Sequence, residues 1–116
     1  MAQRKKLSPI SPGEILRDAL AEASLTANAA ALMMRIPNNR LSEILRGKRV
    51  ITADTALRLA RLFGTSAALW LNLQAKYDLE RAEDQSGELI AREVESLRAA
   101  RRSRRRIVRS KGLATK

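Results

Sequence analysis

The 116-residue sequence contains no cysteine and no histidine, and only one residue each of phenylalanine, tryptophan and tyrosine. Without cysteine, the chain forms neither a disulfide framework nor a thiolate metal site, and cysteine catalysis is excluded. Without histidine, it lacks the commonest general base and the commonest metal ligand. We therefore expect no metal and no cofactor.

Long apolar runs are also missing, since none approaches the roughly 20 residues that a membrane span requires. The first six residues, Met-Ala-Gln-Arg-Lys-Lys, are basic, but no apolar segment follows them as it would in a signal peptide. The hydrophobic content of 45% is ordinary for a globular protein, and the length suits one small domain. We expect a soluble cytoplasmic protein with no membrane partner.

Positive charge is what the sequence has in excess: 23 Lys+Arg against 12 Asp+Glu give a formal net charge of +11. This balance predicts a polyanionic partner, most simply a nucleic acid. The charge is unevenly placed, because the last twenty residues contain nine basic side chains and no acidic one. The sequence thus indicates a mildly basic body followed by a strongly basic tail.

Helical spacing of apolar residues and the absence of β-type alternation predict an all-α fold. We expect a five-helix, lambda-repressor-like helix-turn-helix domain over residues 12–84. A flexible N-terminal arm over residues 1–11 precedes it, and a basic helical extension over residues 85–116 follows it. Gln85-Ser86-Gly87 is interpreted as the break between domain and extension. In the extension, the apolar spacing favours a helix over 88–98 more than over 99–110.

Two short helices in the first half of the domain indicate a helix-turn-helix unit. Thr26 is a candidate cap for Ala27–Met34, and Pro37 permits a new helix over about Asn38–Arg46, which Gly47 ends. Capping residues and a glycine mark the other boundaries at Ser11, Thr52, Gly64 and Ser66.

The third helix has polar side chains of the types that read DNA bases. In the major groove, Asn bonds adenine and Arg bonds guanine, each in a bidentate manner. The N-terminal residues of a recognition helix face the base edges. Basic residues on the flanks suit phosphate contacts, as does the hydroxyl of Thr26; the basic ones are Arg35, Arg46, Lys48 and Arg49. A short polar helix is also compatible with a solvated surface.

Four runs make the segment from Pro12 to Asp78 resemble the HigA (VapI-type) antitoxin family of xenobiotic-response-element helix-turn-helix regulators. They are Ser-Pro-Gly-Glu-Ile-Leu (11–16), Ile-Pro-Asn-Asn-Arg-Leu-Ser-Glu-Ile-Leu-Arg-Gly-Lys-Arg (36–49), Ile-Thr-Ala-Asp-Thr-Ala-Leu-Arg-Leu-Ala-Arg-Leu-Phe-Gly-Thr-Ser (51–66) and Leu-Trp-Leu-Asn-Leu-Gln-Ala-Lys-Tyr-Asp (69–78). The resemblance implies a homodimer that binds the palindromic operator of its own operon, which is double-stranded DNA. It also implies a HigB toxin partner, an mRNA-cleaving ribonuclease of the RelE type.

By position, the resemblance places four residues on the base-reading stretch: Asn38, Asn39, Arg40 and Glu43. It places four others near the phosphates: Thr26, Arg46, Lys48 and Arg49. Two positions depart from the family pattern. Ala27 stands where many relatives have a phosphate-clamping Gln, so that contact is not expected. Arg35 occupies a turn position often held by Gly, where a positive φ would cost about 1 kcal/mol.

The fifth helix carries Leu69, Leu73 and Tyr77 along one stripe, and we expect part of this stripe to form the dimer interface. A two-fold dimer would set two recognition helices about 34 Å apart, one turn of B-DNA. Trp70, on the same helix, is interpreted as a core residue, with dimer contact as the alternative.

The arginine-rich tail has three interpretations: a solvated extension, an arm along DNA phosphates, or a surface that docks on the toxin or on RNA.

Three other functions compete with the antitoxin. An enzyme is rejected because no nucleophile–base pair can be assembled without His or Cys. A helix-turn-helix repressor without a toxin partner would use the same residues on DNA. A structural RNA-binding protein would need aromatic stacking platforms that three aromatics do not supply.

Overall fold

The computed structural model describes residues 8–110, with side chains described as far as Arg105, and within these residues the fold is entirely helical. The six helices are α1 (Pro12–Glu22), α2 (Ala27–Met34), α3 (Asn38–Leu45), α4 (Ala53–Phe63), α5 (Ala67–Glu93) and α6 (Leu97–Ser110). The predicted all-α class, with five helices and a C-terminal helical extension, is confirmed. No helix within residues 8–110 combines the length and the apolar character needed to cross a bilayer. The expected N-terminal arm falls mostly outside the described residues.

The helices begin at the predicted caps. The Ser11 hydroxyl accepts from the backbone N–H of Glu14, and the Glu14 carboxylate accepts in return from the N–H of Ser11, which completes a capping box. Thr26 caps α2 and Thr52 caps α4, and each hydroxyl accepts from the backbone N–H three residues ahead. Gly64 ends α4 in the left-handed region with φ 71°.

The described chain divides into two compact units, one ending at Arg81 and the other starting at Ala82. In the first unit, apolar side chains from α1 to the start of α5 form one core cluster, in which Leu16, Leu41 and Leu59 are fully buried. Small residues permit the close packing of α2, since Ala30 and Ala31 are also buried. This core supports the two short helices of the helix-turn-helix unit from beneath.

The break expected at Gln85-Ser86-Gly87 is wrong, because α5 runs through these residues to Glu93. One glycine inside a helix costs only about 1 kcal/mol relative to alanine, and strong helix formers follow it from Glu88 to Arg92. The helix stops instead before Val94-Glu95-Ser96. There Ser96 caps α6, as its hydroxyl accepts from the N–H of Ala99 at 3.0 Å. Residues 88–93 are therefore helical as the last part of α5, and a separate helix, α6, covers the arginine run that the prediction favoured less.

Candidate nucleic-acid interface

The turn between α2 and α3 is closed by the backbone of Arg35, which adopts the left-handed conformation with φ 58° and ψ 46°. Its N–H donates to the carbonyl of Leu32, and the N–H of Ile36 donates to the carbonyl of Ala31 at 3.0 Å. The Ile36 side chain is buried, and extended Pro37 immediately precedes α3. This geometry sets the direction in which the third helix leaves the second.

α3 is fixed on its inner face and at its C-terminal end. On the inner face, its own Leu41 and Ile44 side chains are buried in the core. Gly13 of α1 approaches the carbonyls of Ile44 and Leu45 so closely that a β-carbon at position 13 would collide with the first and lie 2.8 Å from the second. Arg17 Nη2 donates to the Leu45 carbonyl at 3.0 Å. A cation at this position stabilises α3, because it lies at the negative end of the helix dipole. The polar face of α3 is therefore held on a rigid support.

Two asparagines lie exposed at the start of α3. Asn38 donates from Nδ2 to Oδ1 of Asn28 on α2 at 2.6 Å, which fixes the orientation of its amide. The side-chain amide of Asn39 makes no hydrogen bond with another described residue and is exposed. Of the two amides, that of Asn39 is thus the one available without breaking a contact.

Arg40 is held in a chain of charges that joins three elements. Its Nη1 donates to Oδ2 of Asp54 at 3.1 Å, and Arg58 Nε donates to the same oxygen at 2.9 Å. Arg58 also donates from Nη1 to the carbonyl of Met34 at the end of α2. The hydrogen bond from Arg58, followed by that from Arg40, lowers the pKa of Asp54 below its ordinary value. Arg40 therefore enters the interface with its direction set by the first turn of α4.

Glu43 and Arg49, predicted to face a base and a phosphate respectively, pair with each other. Arg49 Nε donates to Oε1 of Glu43 at 2.8 Å, and both side chains are only partly exposed. The pair ties the segment after α3 back onto the helix. Arg49 can reach a phosphate only by leaving or sharing this carboxylate, which lowers its expected contribution relative to a free cation.

The other predicted phosphate residues are less restrained. Arg35, Arg46 and Lys48 are exposed and form no ion pair with any residue in 8–105. The Thr26 hydroxyl accepts from the N–H of Ala29 at 3.1 Å, which leaves its proton free to donate outward. Thr26 lies at the N-terminus of α2, Arg35 precedes α3, and Arg46 and Lys48 follow it.

Four polar residues in and around the interface were missed from sequence: Asn28, Asp54, Arg58 and Gln74. The buried Gln74 of α5 accepts at Oε1 from the N–H of Ile51 at 2.8 Å and donates to Asp78 at 3.0 Å. It thereby anchors the segment between α3 and α4. Helical periodicity could have indicated Gln74, because it lies one turn after Trp70, on the face that α5 buries.

The stripe predicted to form a dimer interface begins at an exposed position and ends beside an arginine. Leu69 is 42% exposed, whereas Leu73 packs partly against the core. The guanidinium of Arg81 lies 5.3 Å from the centre of the Tyr77 ring. Trp70 is 2% exposed, and its indole N–H donates to the Thr65 hydroxyl, so the core interpretation of this residue is confirmed.

The sequence of this chain is similar to those of known helix-turn-helix proteins. Residues 16–70 match the Helix-turn-helix family. Virulence-associated protein I of Dichelobacter nodosus is 48% identical over 83 residues, which cover 71% of this chain and 77% of that protein.

Two solved structures are similar over nearly their whole length. One is an addiction module antidote protein of a HigA family from Coxiella burnetii, 48% identical, with a TM-score of 0.73, 78% of this chain and 99% of that chain covered. The other is the Pseudomonas aeruginosa antitoxin HigA with the higBA promoter, 43% identical, with a TM-score of 0.74, 77% of this chain and 98% of that chain covered.

Proposed function

Because the chain belongs to the HigA (VapI-type) family of helix-turn-helix regulators, we propose that it is an antitoxin that binds its own operator DNA and represses its operon. The observation that carries this proposal is the exposed polar face of α3, fixed from beneath by Leu41 and Ile44. The structure of the similar Pseudomonas aeruginosa antitoxin HigA with the higBA promoter supports double-stranded DNA as the partner. The function requires no catalytic group and is exercised where the DNA lies, in the cytoplasm.

In the proposed complex, the N-terminal half of α3 enters the major groove. Asn39 provides an unrestrained amide that can bond an adenine edge, and Asn38 provides one that Asn28 has already oriented. Arg40 can bond a guanine while Asp54 continues to hold its guanidinium. Glu43 can accept from a cytosine amino group, on condition that Arg49 shares the carboxylate. This division assigns most of the base preference to Asn39 and Arg40.

The phosphate contacts are proposed for the flanks. Thr26 offers its hydroxyl proton together with the free N–H groups at the start of α2, which form a favourable anion site. Arg35, Lys48 and Arg46 offer cations that no described carboxylate neutralises. Each phosphate so neutralised contributes about −0.9 to the slope of log affinity against log salt. Arg49 contributes once the DNA competes with Glu43 for it.

We also propose a two-fold homodimer through Leu69, Leu73 and Tyr77, which would present two α3 helices to successive major grooves of a palindrome. Leu69 supports this assignment, since an exposed large apolar side chain gains by being covered. A dimer also doubles the phosphate contacts available to a domain of this size.

Neutralisation of a HigB toxin, a RelE-type ribonuclease, is part of the same proposal. The support is the naming of similar proteins as antidote and antitoxin. Co-purification with the product of a neighbouring small basic reading frame would establish the partner. Operator binding by a protein that retains no such product, from a locus that encodes none, would identify a stand-alone repressor instead.

Operator binding is tested by fluorescence anisotropy with the duplex upstream of the gene and with a scrambled duplex. Asn39→Ala/Arg40→Ala removes two base contacts worth about 1–3 kcal/mol each, so the preference for the operator should fall at least tenfold. Arg61→Ala, which removes an exposed cation from the later part of α4, is the matched control and should retain the preference. Unchanged preference in the double variant would refute the assignment of α3.

A further inference from the structure

Four of the five arginines of α6 whose side chains are described lie on one side of the helix, and Arg104 lies outside that side. With 3.6 residues per turn, Arg98, Arg101, Arg102 and Arg105 fall within an arc of about 100°. The same four side chains, with Leu97, line an open cavity of about 350 Å³. Ala99 and Ser103 lie outside this arc and are small. We name the four arginines the α6 arginine face.

The α6 arginine face has no internal counter-charge. None of its four guanidiniums forms an ion pair with a carboxylate among the described residues, and all four are exposed. In the first unit, Arg40, Arg49 and Arg58 are each paired with a carboxylate, whereas Arg35 and Arg46 are not paired with any described one. Like charges one helical turn apart destabilise a helix by about 0.2–0.5 kcal/mol per pair. A polyanion bound along this face would remove that repulsion.

We propose that the α6 arginine face is a second DNA-binding element, which contacts the phosphates of duplex DNA without reading its bases. The four arginines span about 10 Å along the helix axis, and duplex DNA presents about one negative charge per 1.7 Å of its own axis. Guanidinium groups match phosphate geometry in a bidentate manner. This inference rests on the proposed function for the identity of the duplex, since α3 brings operator DNA to the protein.

The composition of the second unit favours a duplex over the other polyanions. Single-stranded RNA is bound by stacking on aromatic rings, and residues 82–116 contain no aromatic residue. An anionic membrane surface selects helices with bulky apolar residues opposite the charges, whereas the side chains described there, Ala99, Ala100 and Ser103, are small. Phosphates of a duplex require only correctly spaced cations, which the α6 arginine face provides.

The consequence is a separation of roles between the two units. α3 determines which sequence is bound, and α6 adds affinity that is equal for every sequence and strongly dependent on salt. The solved relatives are matched almost completely by under four fifths of this chain. The Pseudomonas aeruginosa antitoxin HigA, whose structure is described with the higBA promoter, matches 77% of this chain.

The test measures the salt dependence of binding to the operator and to a scrambled duplex, using the full chain. Arg101→Gln/Arg105→Gln should reduce the steepness of log affinity against log salt by about 2 on both duplexes, because two phosphate contacts are lost at about 0.9 each. The ratio of the two affinities should stay within twofold of wild type. The matched control, Arg61→Gln/Arg92→Gln, removes the same charge outside the α6 arginine face and should change the slope by less than half as much.

Equal slopes for the two double variants would overturn the proposal and leave α6 as a solvated helix. The proposal would also be overturned if the α6 variant lost binding only to single-stranded RNA or to vesicles of anionic lipid, with its duplex slope unchanged. Gln is a good helix former, so helix content by circular dichroism should be retained. Failure of the proposed operator function has a separate signature: wild type would bind the two duplexes equally, whatever its slope.

Discussion

Arg35 combines a backbone cost with an electrostatic gain. Its left-handed backbone costs a non-glycine residue about 1 kcal/mol, yet the turn is closed by two backbone hydrogen bonds that keep it in place. The same conformation leaves the guanidinium exposed beside α3 and without a carboxylate partner in the described chain. A glycine would make the same turn with less strain, but it would bring no cation to the proposed DNA interface.

At Asp54 the residue scale gives a prediction about pH. Its pKa is lowered in the folded state by Arg58 and Arg40, so it stabilises the fold above its unfolded pKa of about 4, and this contribution is lost as the pH falls through the folded value. Asp54→Asn should therefore destabilise the protein modestly at pH 7 and flatten the loss of stability as the pH falls below about 4.

Urea unfolding at pH 7 and pH 3 measures this difference. Asp18→Asn removes an exposed carboxylate that forms no ion pair with a described residue and is the matched control. If Asp54→Asn and Asp18→Asn show the same change between the two pH values, Asp54 contributes nothing through its arginines.

The side-chain pairs of the proposed interface show what could and could not be predicted for single residues. The residue types of the proposed interface could be suggested from sequence, because Asn and Arg after a helix-breaking proline are typical of base reading, and their roles stay a prediction. Their partners could not, since the Asn28–Asn38, Arg40–Asp54 and Glu43–Arg49 contacts join residues six to fourteen positions apart. Such pairs depend on how the helices cross, which local spacing does not specify.

At the scale of the helices, we predict opposite effects on stability when each of two glycines is replaced by alanine. Gly13→Ala would drive a methyl group into the carbonyls of Ile44 and Leu45, and overpacking of this kind costs about 1–3 kcal/mol. Gly87→Ala should not destabilise, because the new methyl would meet only Glu83 Cβ at 3.9 Å and alanine favours a helix by about 0.5–1 kcal/mol. Chemical denaturation of the two variants provides the comparison. A stable Gly13→Ala variant would show that α1 and α3 do not approach as described.

Gly87 also explains why the end of α5 was misplaced. A Gln-Ser-Gly run is typical of a loop, but a helix already extended over five turns continues through one unfavourable residue. The end of α2 could be predicted because Pro37, three residues after Met34, interrupts the helix. The end of α4 could be predicted because Gly64 readily takes the left-handed conformation that closes a helix. In short, local chemistry specified the caps and turns, and cooperativity decided the length of α5.

At the scale of the whole molecule, dimerisation decides whether two α3 helices act together. Leu69→Glu places a charge at an exposed position of the proposed interface, so sedimentation should show a monomer, and operator affinity should fall more than tenfold. Leu89→Glu changes a leucine of similar exposure in the second unit and should leave the dimer intact. A Leu69→Glu protein that still sediments as a dimer would contradict the assigned interface.

Recognition of the operator, as proposed, depends on α3 being the part of the chain that faces the base pairs. The most direct measurement is a titration of the ¹⁵N-labelled full chain with the operator duplex, followed by amide shifts in NMR spectra. We predict the largest changes at the backbone and side-chain amides of Asn38 and Asn39, with changes at the start of α2 and little change in the later part of α4. Specific binding of the operator with the amides of α3 undisturbed would contradict the proposed role of α3 in reading the bases.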